Sequence, residues 1–443
     1  MNELLHEILA AREQRVQKQR QLLDTYTAPL LCFTMNIPGP VKFDRDVSIG
    51  FHLGIWLLKE SLKGRRILHF ESHTAVTGCE AYCVVDMPAK ELKRLAVELE
   101  EIDPIGRLFD MDVLSPDGQK ISREELGYPR RKCLLCEQDA YICAGRRTHS
   151  ADQLRRQAGF FLYIAAREFM CEYIATRAYF ALNQEVTTTP KPGLVDGNNT
   201  GAHKDMDIRH FFASANALRP YFCDCAEQGF LTRDLPAAET LAAIRPLGLD
   251  AEQTMKKATH GVNTHKGAIF SLGILCAAAG RLSPDLWQPQ QLLAECAAIA
   301  NGVADRDFAG ITESNAKTAG ERFYAQYGIT GVRGQAQAGF PAVGDVGLPV
   351  LQRGLEQGLS LNDAGAVALL HLIAATDDTN LIHRGGRDRQ LQVKAQIAAL
   401  LEATPFPSRE IIEELDKQFI QENLSPGGSA DLLALTYFLY FLQ

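Results

Sequence analysis

The chain has 443 residues, more than one hydrophobic core usually organises, so its length favours two or three domains and excludes a single small module. Hydrophobic residues make up 46% and charged residues 23%, an ordinary globular balance that excludes wholesale disorder. A formal net charge of −8 argues against binding nucleic acid by overall attraction and leaves anion recognition to local basic pockets.

Taken in chain order, residues 1–20 thread charges through the apolar positions and lack the continuous apolar core of a secretory signal. Leu4, Leu5, Ile8 and Leu9, then Val16, Leu22 and Leu23, give an approximate helical stripe. Strands are expected at Leu30 to Asn36, Ile67 to His73, Ala81 to Val85 and Leu108 to Leu114, with helices at Ile49 to Leu62 and Ala89 to Glu101. This half reads as α+β. The basic, polar segment Arg146 to Arg156 is the most economical boundary. Beyond it the pattern turns to alanine- and leucine-rich helical runs at Gly159 to Leu182, Ile208 to Leu218, Ala268 to Ala279, Asp363 to Ala375 and Asp431 to Leu442. That half reads as all-α. Arg167, Glu168, Glu172 and Arg177 interrupt its most apolar stretch, which suits an amphipathic helix better than a membrane span. Eleven cysteines in a long chain with ample core material argue for reduced thiols or a metal site, and a cytoplasmic protein is expected.

Two features of the first half carry chemistry. In Gly106-Arg107-Leu108-Phe109-Asp110-Met111-Asp112-Val113 the alternation puts Phe109, Met111 and Val113 on one strand face. Asp110 and Asp112 then share the other face, about 7 Å apart. Magnesium shared with substrate phosphates would suit this pair, with Arg107 as a clamp; the competing reading is a solvated strand face. Cys133, Cys136, Cys143 and His149 could complete a tetrahedral zinc shell, or could be reduced, partly buried side chains. Arg130, Arg131, Lys132, Arg146 and Arg147 around them could meet phosphates or an acidic protein partner.

With Asn36-Ile37-Pro38-Gly39-Pro40-Val41-Lys42 added, these elements make most of residues 20–150 resemble the apo-citrate lyase phosphoribosyl-dephospho-CoA transferases, the holo-acyl-carrier-protein synthases of citrate lyase. The resemblance implies a nucleotidyltransferase-like domain. It would move a phosphoribosyl-dephospho-CoA group onto a serine of the acyl carrier (gamma) subunit of citrate lyase and release diphosphate. Lys42 enters as a candidate phosphate-binding residue on the same basis.

Five polar loops punctuate the second half. Thr189-Pro190-Lys191-Pro192-Gly193 leads to Asp196, His203 and Asp205, close enough in sequence to converge. Asn263-Thr264-His265-Lys266-Gly267 opens an apolar helix whose N–H groups, joined by Lys266, would suit a phosphate. Gly331 to Ala336 is expected as a loop that carries Arg333 between glycines. Asp377 to Gly386 ends an alanine-rich helix and offers Asp378, Asn380, Arg384, Gly385 and Gly386, with Asp378 as a magnesium candidate. Asn423 to Ser429 opens the last helix, with Gly427 and Gly428 before Ser429 as the expected N-cap. Any single loop could be a capped turn, but together they resemble the triphosphoribosyl-dephospho-CoA synthases over nearly all of residues 160–443.

That second resemblance implies a reaction of ATP with 3′-dephospho-CoA that releases adenine and yields 2′-(5″-triphosphoribosyl)-3′-dephospho-CoA. Cleaving the N-glycosidic bond should pass through an oxocarbenium-like state. Asp196, Asp205 and Asp378 are the carboxylate candidates, His265 or His203 the proton carriers, and Lys191, Lys266, Arg333 and Arg384 the phosphate holders. The whole chain is thus expected as a multidomain transferase, with an α+β domain at 1–155 and an all-α domain at 156–443. Its expected partners are the carrier subunit, ATP and 3′-dephospho-CoA, without nucleic acid or membrane. A non-catalytic docking role for the first half, service to the malonate decarboxylase carrier, or nucleotide hydrolysis by the second half remain the competing readings.

Overall fold

A computed structural model describes residues 2–443, except for the side chains of residues 2–5 and 8, so the Leu4, Leu5 and Ile8 part of the expected stripe lies outside it. Two compact units emerge. The first runs through Met170 and includes Ser283–Asp285; the second comprises Cys171–Leu282 and Leu286–Gln443.

The first unit is built on a five-stranded antiparallel sheet. Its strands are β1 (Leu30–Met35), β2 (Ile67–Ala75), β3 (Gly78–Val85), β4 (Phe109–Leu114) and β5 (Lys120–Ile121), in the order β2-β3-β1-β4-β5. Five helices accompany it: α1 (Asn2–Tyr26), α2 (Arg45–Ser61), α3 (Ala89–Glu100), α4 (Ala140–Arg146) and α5 (Ala151–Ala165). Strand alternation separates two cores. Leu31, Phe33, Phe109, Met111 and Val113 pack with α2, α3 and α5 on one face, while Leu30, Cys32, Tyr82 and Val84 meet Leu22 and Leu23 of α1 on the other. Because β5 pairs only with Val113 and Leu114, the edge of β4 at Met111 needs other partners. Lys93 of α3 donates to the Met111 carbonyl at 2.8 Å, and Glu100 accepts the Met111 N–H at 2.8 Å.

Helix α5 belongs to the first core through Ala158, Phe161, Leu162 and Ala165. A π-helical turn at Ala166–Met170 follows it, so the expected single helix Gly159 to Leu182 is two helices with an irregular junction.

The second unit contains helices α6 (Cys171–Thr187), α7 (Ile208–Leu231), α8 (Ala237–Ala258), α9 (Lys266–Arg281), α10 (Pro289–Ile299), α11 (Val303–Asp307), α12 (Ala319–Tyr327) and α13 (Gly331–Gln337). These are followed by α14 (Leu348–Glu356), α15 (Leu361–Ala375), α16 (Thr379–Ala403), α17 (Arg409–Gln421) and α18 (Gly427–Leu442). Helices α9 and α18 are apolar on nearly every side and lie at the centre, in contact with each other. Helices α6, α7, α8 and α10 pack around α9.

Three local expectations are corrected. Gly331 to Ala336 is helical, as α13, rather than a loop. Asn380 to Gly386 lies within α16, whose kink falls at Gly386 with φ 80°. Ser429 is the third residue of α18 and not its N-cap; Pro426 occupies that position, because the Ser429 side chain is committed to Asp378. Among the described residues, no helix is long and apolar enough to cross a membrane.

Candidate functional site

In the first unit, β4 presents its carboxylates as expected. Phe109, Met111 and Val113 are fully buried, while Asp110 and Asp112 are half-buried on the opposite face. Register places Asp110 beside Thr34 of β1, which in turn faces Glu80 of β3; the next row runs Asp112, Cys32, Tyr82. The acidic row therefore extends across three strands. Sequence reading missed Glu80, since only the pairing of β1 with both neighbours brings it there. Each carboxylate has a cationic partner: Asp110 has Arg131 at 3.5 Å, Asp112 has Lys120 at 2.7 Å, and Glu80 has Arg15 at 2.5 Å.

Arg107 turns from the acids to the cysteine segment, donating to the Cys133 carbonyl at 2.5 Å while its guanidinium lies over the Phe161 ring. Arg131 donates to the carbonyls of Arg107 and Phe109 at 3.1 and 2.6 Å. Lys42 is tethered to the Ile37 carbonyl at 2.7 Å, and burial together with Arg12 and Arg155 holds its ammonium below the usual lysine range. Cys133, Cys136, Cys143 and His149 do converge: their ligand atoms all lie within 4.8 Å of one another.

In the second unit a cleft of about 1030 Å³ is lined by residues from all five of the segments expected as loops. Three of the longer helices begin at its wall. His265 precedes α9, Asp378 precedes α16 and Pro426 precedes α18, so the positive ends of three helix dipoles face one space. Lys191, His203, Asn263, Lys266, Arg333, Asn380, Arg384, Gly427 and Gly428 also line it. Asp196, Asp205, Gly385, Gly386 and Ser429 do not.

Carboxylates organise these helix starts. Asp378 accepts from the N–H groups of Asn380 and Leu381 at 2.9 and 3.2 Å through one oxygen. Its other oxygen takes the N–H and the hydroxyl of Ser429 at 2.7 and 3.0 Å. One side chain thus caps α16 and ties it to α18. Burial raises its pKa against the lowering effect of those donors. Asp431, one turn into α18, accepts the Ala268 N–H of α9; burial, with Glu185 and Asp378 nearby, pushes it well above the usual carboxylate range. Gly267 makes this approach possible, since a Cβ there would strike the Asp431 carboxylate. Glu185 of α6 forms a buried ion pair with Lys191, which is 1% exposed. Sequence reading gave no role to Glu185 or Asp431: Glu185 lies in the polar last turn of α6 and Asp431 in an apolar helical run, and a lone acid has no local signature in either place.

Asp196 and Asp416 fold the Lys191 loop rather than face the cleft. Asp196 accepts from the N–H groups of Lys191, Asn198 and Asn199 at 3.1, 2.7 and 3.0 Å. Asp416 of α17 takes the Gly193 N–H and the Asn199 amide at 2.9 and 2.8 Å. Gly193 has φ 70° and lies so close to the Leu424 carbonyl that a Cβ would not fit.

His203 bridges Ser425 at 2.9 Å and Arg384 at 3.1 Å, and burial and Arg384 lower its pKa. Asp205 is exposed, 3.9 Å from the His203 ring. His265 is 3% exposed, with Nδ1 2.7 Å from the Ser214 hydroxyl and Nε2 without a hydrogen-bond partner. Burial and Lys191 lower its pKa to about 3, so the ring is neutral at physiological pH. Lys266 pairs with Glu252 at 3.1 Å and Arg333 with Asp307 at 2.8 Å; Arg384 donates to the Ala202 carbonyl and to Asn423 at 3.0 and 2.9 Å.

Comparisons with known proteins divide the chain into the same two parts. Residues 171–443 match the family ATP:dephospho-CoA triphosphoribosyl transferase, and residues 3–161 match apo-citrate lyase phosphoribosyl-dephospho-CoA transferase. Protein CitXG of Haemophilus influenzae is 36% identical over 98% of this chain and 95% of its own length. Protein CitXG of Leuconostoc mesenteroides subsp. cremoris is 35% identical over 98% and 96%. The 2-(5''-triphosphoribosyl)-3'-dephosphocoenzyme-A synthase of Pectobacterium atrosepticum is 40% identical over 65% of this chain and 97% of its own. The chain therefore belongs to the ATP:dephospho-CoA triphosphoribosyl transferase family through its second part and to the apo-citrate lyase phosphoribosyl-dephospho-CoA transferase family through its first, which makes it a bifunctional transferase of citrate lyase prosthetic-group synthesis.

Proposed function

We propose that the second unit joins ATP to 3′-dephospho-CoA with release of adenine, and that the first unit passes the resulting phosphoribosyl-dephospho-CoA group to a serine of the citrate lyase carrier subunit with release of diphosphate. The observation that carries the first step is the convergence of three helix starts on a cleft walled by Lys266, Arg333 and Arg384. Such a wall suits a triphosphate and a CoA diphosphate together. The buried carboxylates Glu185 and Asp378 favour positive charge developing at the ribose C1. Asp431, whose hold on a proton burial strengthens, lines the cleft as the candidate to protonate the departing adenine. His265 presents an unpartnered Nε2, with the ring fixed by Ser214, and would take the proton of the attacking 2′-hydroxyl once bound phosphates raise its basicity. The proton lost from the hydroxyl and the proton gained by adenine balance.

For the transfer step, a nucleotidyltransferase-like reading of the sheet makes Asp110 and Asp112 the residues that would hold magnesium. They fit it: both are half-exposed, share one face of β4, and are paired with basic side chains that a cation can replace. Bound magnesium supplies charge neutralisation at the attacked phosphate and the leaving diphosphate. Arg131, aligned by the backbone of Arg107 and Phe109, and Lys120 remain to hold phosphate oxygens. In the second unit Asp378 already accepts four hydrogen bonds, so magnesium there fits as a companion of the triphosphate rather than as a direct ligand of that carboxylate.

Incubation with ATP, magnesium, 3′-dephospho-CoA and apo-carrier should increase the carrier mass by one phosphoribosyl-dephospho-CoA group. Asp110→Asn and Asp112→Asn should each abolish that gain while ATP-dependent adenine release continues. A gain that survives in both variants would make the first unit a docking module instead. Adenine release that does not need dephospho-CoA would make the second a hydrolase.

A further inference from the structure

The segment from Ser122 to Ser150 is almost without a core. Its only buried residues are Cys133 and Cys143, and its regular structure is limited to a three-residue 3-10 turn, one bridge between Lys132 and Asp139, and the seven-residue α4. Leu135 and Tyr141 face outward. Apolar burial of this size cannot offset the entropy of ordering some thirty residues, which costs roughly 1–2 kcal/mol each. The segment is nonetheless folded back on itself, and the two halves meet at sulfur. Cys136 Sγ lies 3.5 Å from Cys143 Sγ and 3.3 Å from His149 Nε2.

We propose that Cys133, Cys136, Cys143 and His149 hold a structural zinc ion. A tetrahedron with arms of about 2.3 Å has edges of about 3.8 Å, so four donor atoms that are mutually within 4.8 Å, with two pairs at 3.3 and 3.5 Å, need only small shifts to close around the ion. Zinc is the natural fit for three thiolates and one neutral imidazole, since those soft and borderline donors select against magnesium or calcium. Each thiol gives its proton to solvent on binding, leaving the centre with one net negative charge. Arg130, Arg131, Lys132, Arg146 and Arg147 flank it in sequence.

The site has a consequence for the acidic strand. The Cys133 carbonyl receives Arg107, and Arg131, two residues before Cys133, is bonded to the backbone of Arg107 and Phe109 beside Asp110. Closing the metal knuckle therefore fixes both arginines against β4. The metal centre stands independently of the transfer reaction proposed for that strand.

The test uses the full chain, purified under reducing conditions without chelator. One equivalent of zinc should co-purify, and cobalt(II) exchanged into it should show sulfur-to-metal charge transfer together with the intense visible bands of tetrahedral coordination. His149→Ala should weaken zinc binding at least tenfold. His149→Cys should keep the metal and strengthen the charge-transfer band, which guards against a variant that merely misfolds. Cys223→Ser, in the second unit, should leave metal content unchanged. Reduced protein that takes up no added zinc would overturn the proposal, as would zinc retained in a Cys136→Ser/Cys143→Ser double variant, or a Cys136–Cys143 disulfide found after thiol blocking in the cell extract.

Discussion

Asp378→Ala probes the joint that sets the geometry of the cleft. The substitution removes one acceptor from three backbone N–H groups and one hydroxyl, on two helices. A buried donor left without a partner costs about 1–3 kcal/mol. The Ser429 hydroxyl can rotate to another acceptor, so three groups count, and relief of the buried carboxyl's own desolvation offsets part of the loss. The expected destabilisation of the second unit is about 3–6 kcal/mol. Asp378→Asn should fall between wild type and alanine, because its amide can still accept from α16 but points a donor at the Ser429 N–H. Trp56 and Trp287 are the only tryptophans, so urea unfolding in a Trp56→Phe background reports the second unit through Trp287, which stacks on Tyr173 with ring centroids 5.9 Å apart. Adenine release in native buffer should fall about a hundredfold in Asp378→Asn, as expected when reacting groups are displaced by about an ångström. A shift below about 0.5 kcal/mol with unchanged adenine release would refute the assignment of Asp378 as the joint between α16 and α18.

Three other outcomes follow from the same site. Lys191→Met should destabilise the protein by about 3–5 kcal/mol in urea unfolding by leaving Glu185 buried without its partner, whereas the Lys191→Met/Glu185→Leu double variant should regain most of the stability and none of the adenine release. His265, with a pKa of about 3 in the fold against the usual value near 6.5, binds a proton more readily when unfolded. Its contribution to stability is therefore complete above about pH 6.5 and lost progressively as the pH falls toward 3, so His265→Gln should flatten the pH dependence of the unfolding midpoint between pH 4 and 6.5. Gly267→Ala should cost about 1–3 kcal/mol in the same assay and cut adenine release at least tenfold, because its methyl group displaces Asp431 from the start of α9.

Much of the architecture is visible in residue order. Alternation from Phe109 to Val113 is enough to place Asp110 and Asp112 on one face, because a strand's side-chain period is two whatever lies beside it. The loop motif at Asn263 to Gly267 likewise marks a helix start, whereas Asp377 to Gly386, expected to end one helix, also begins α16. Longer reach defeats such reading. Helix α7 continues past Leu218 through Pro220 to Leu231, held by packing on α6, α8 and α9 that no local propensity reports. Ser429 reads as a cap in isolation but is bonded to a carboxylate 51 positions earlier.

By itself, then, the sequence determined the family of each part, the acidic strand and the inventory of cations and histidines. Tertiary structure alone decided which of them meet. It joined Glu80 to the Asp110 row, brought Glu185 and Asp431 to the cleft, turned Asp196 away to fold a loop, and closed Cys133, Cys136, Cys143 and His149 into one cluster. The physical reason is common to all of these. Side-chain identity and local periodicity are written along the chain, whereas burial, desolvation and charge pairing belong to neighbours that only folding brings together.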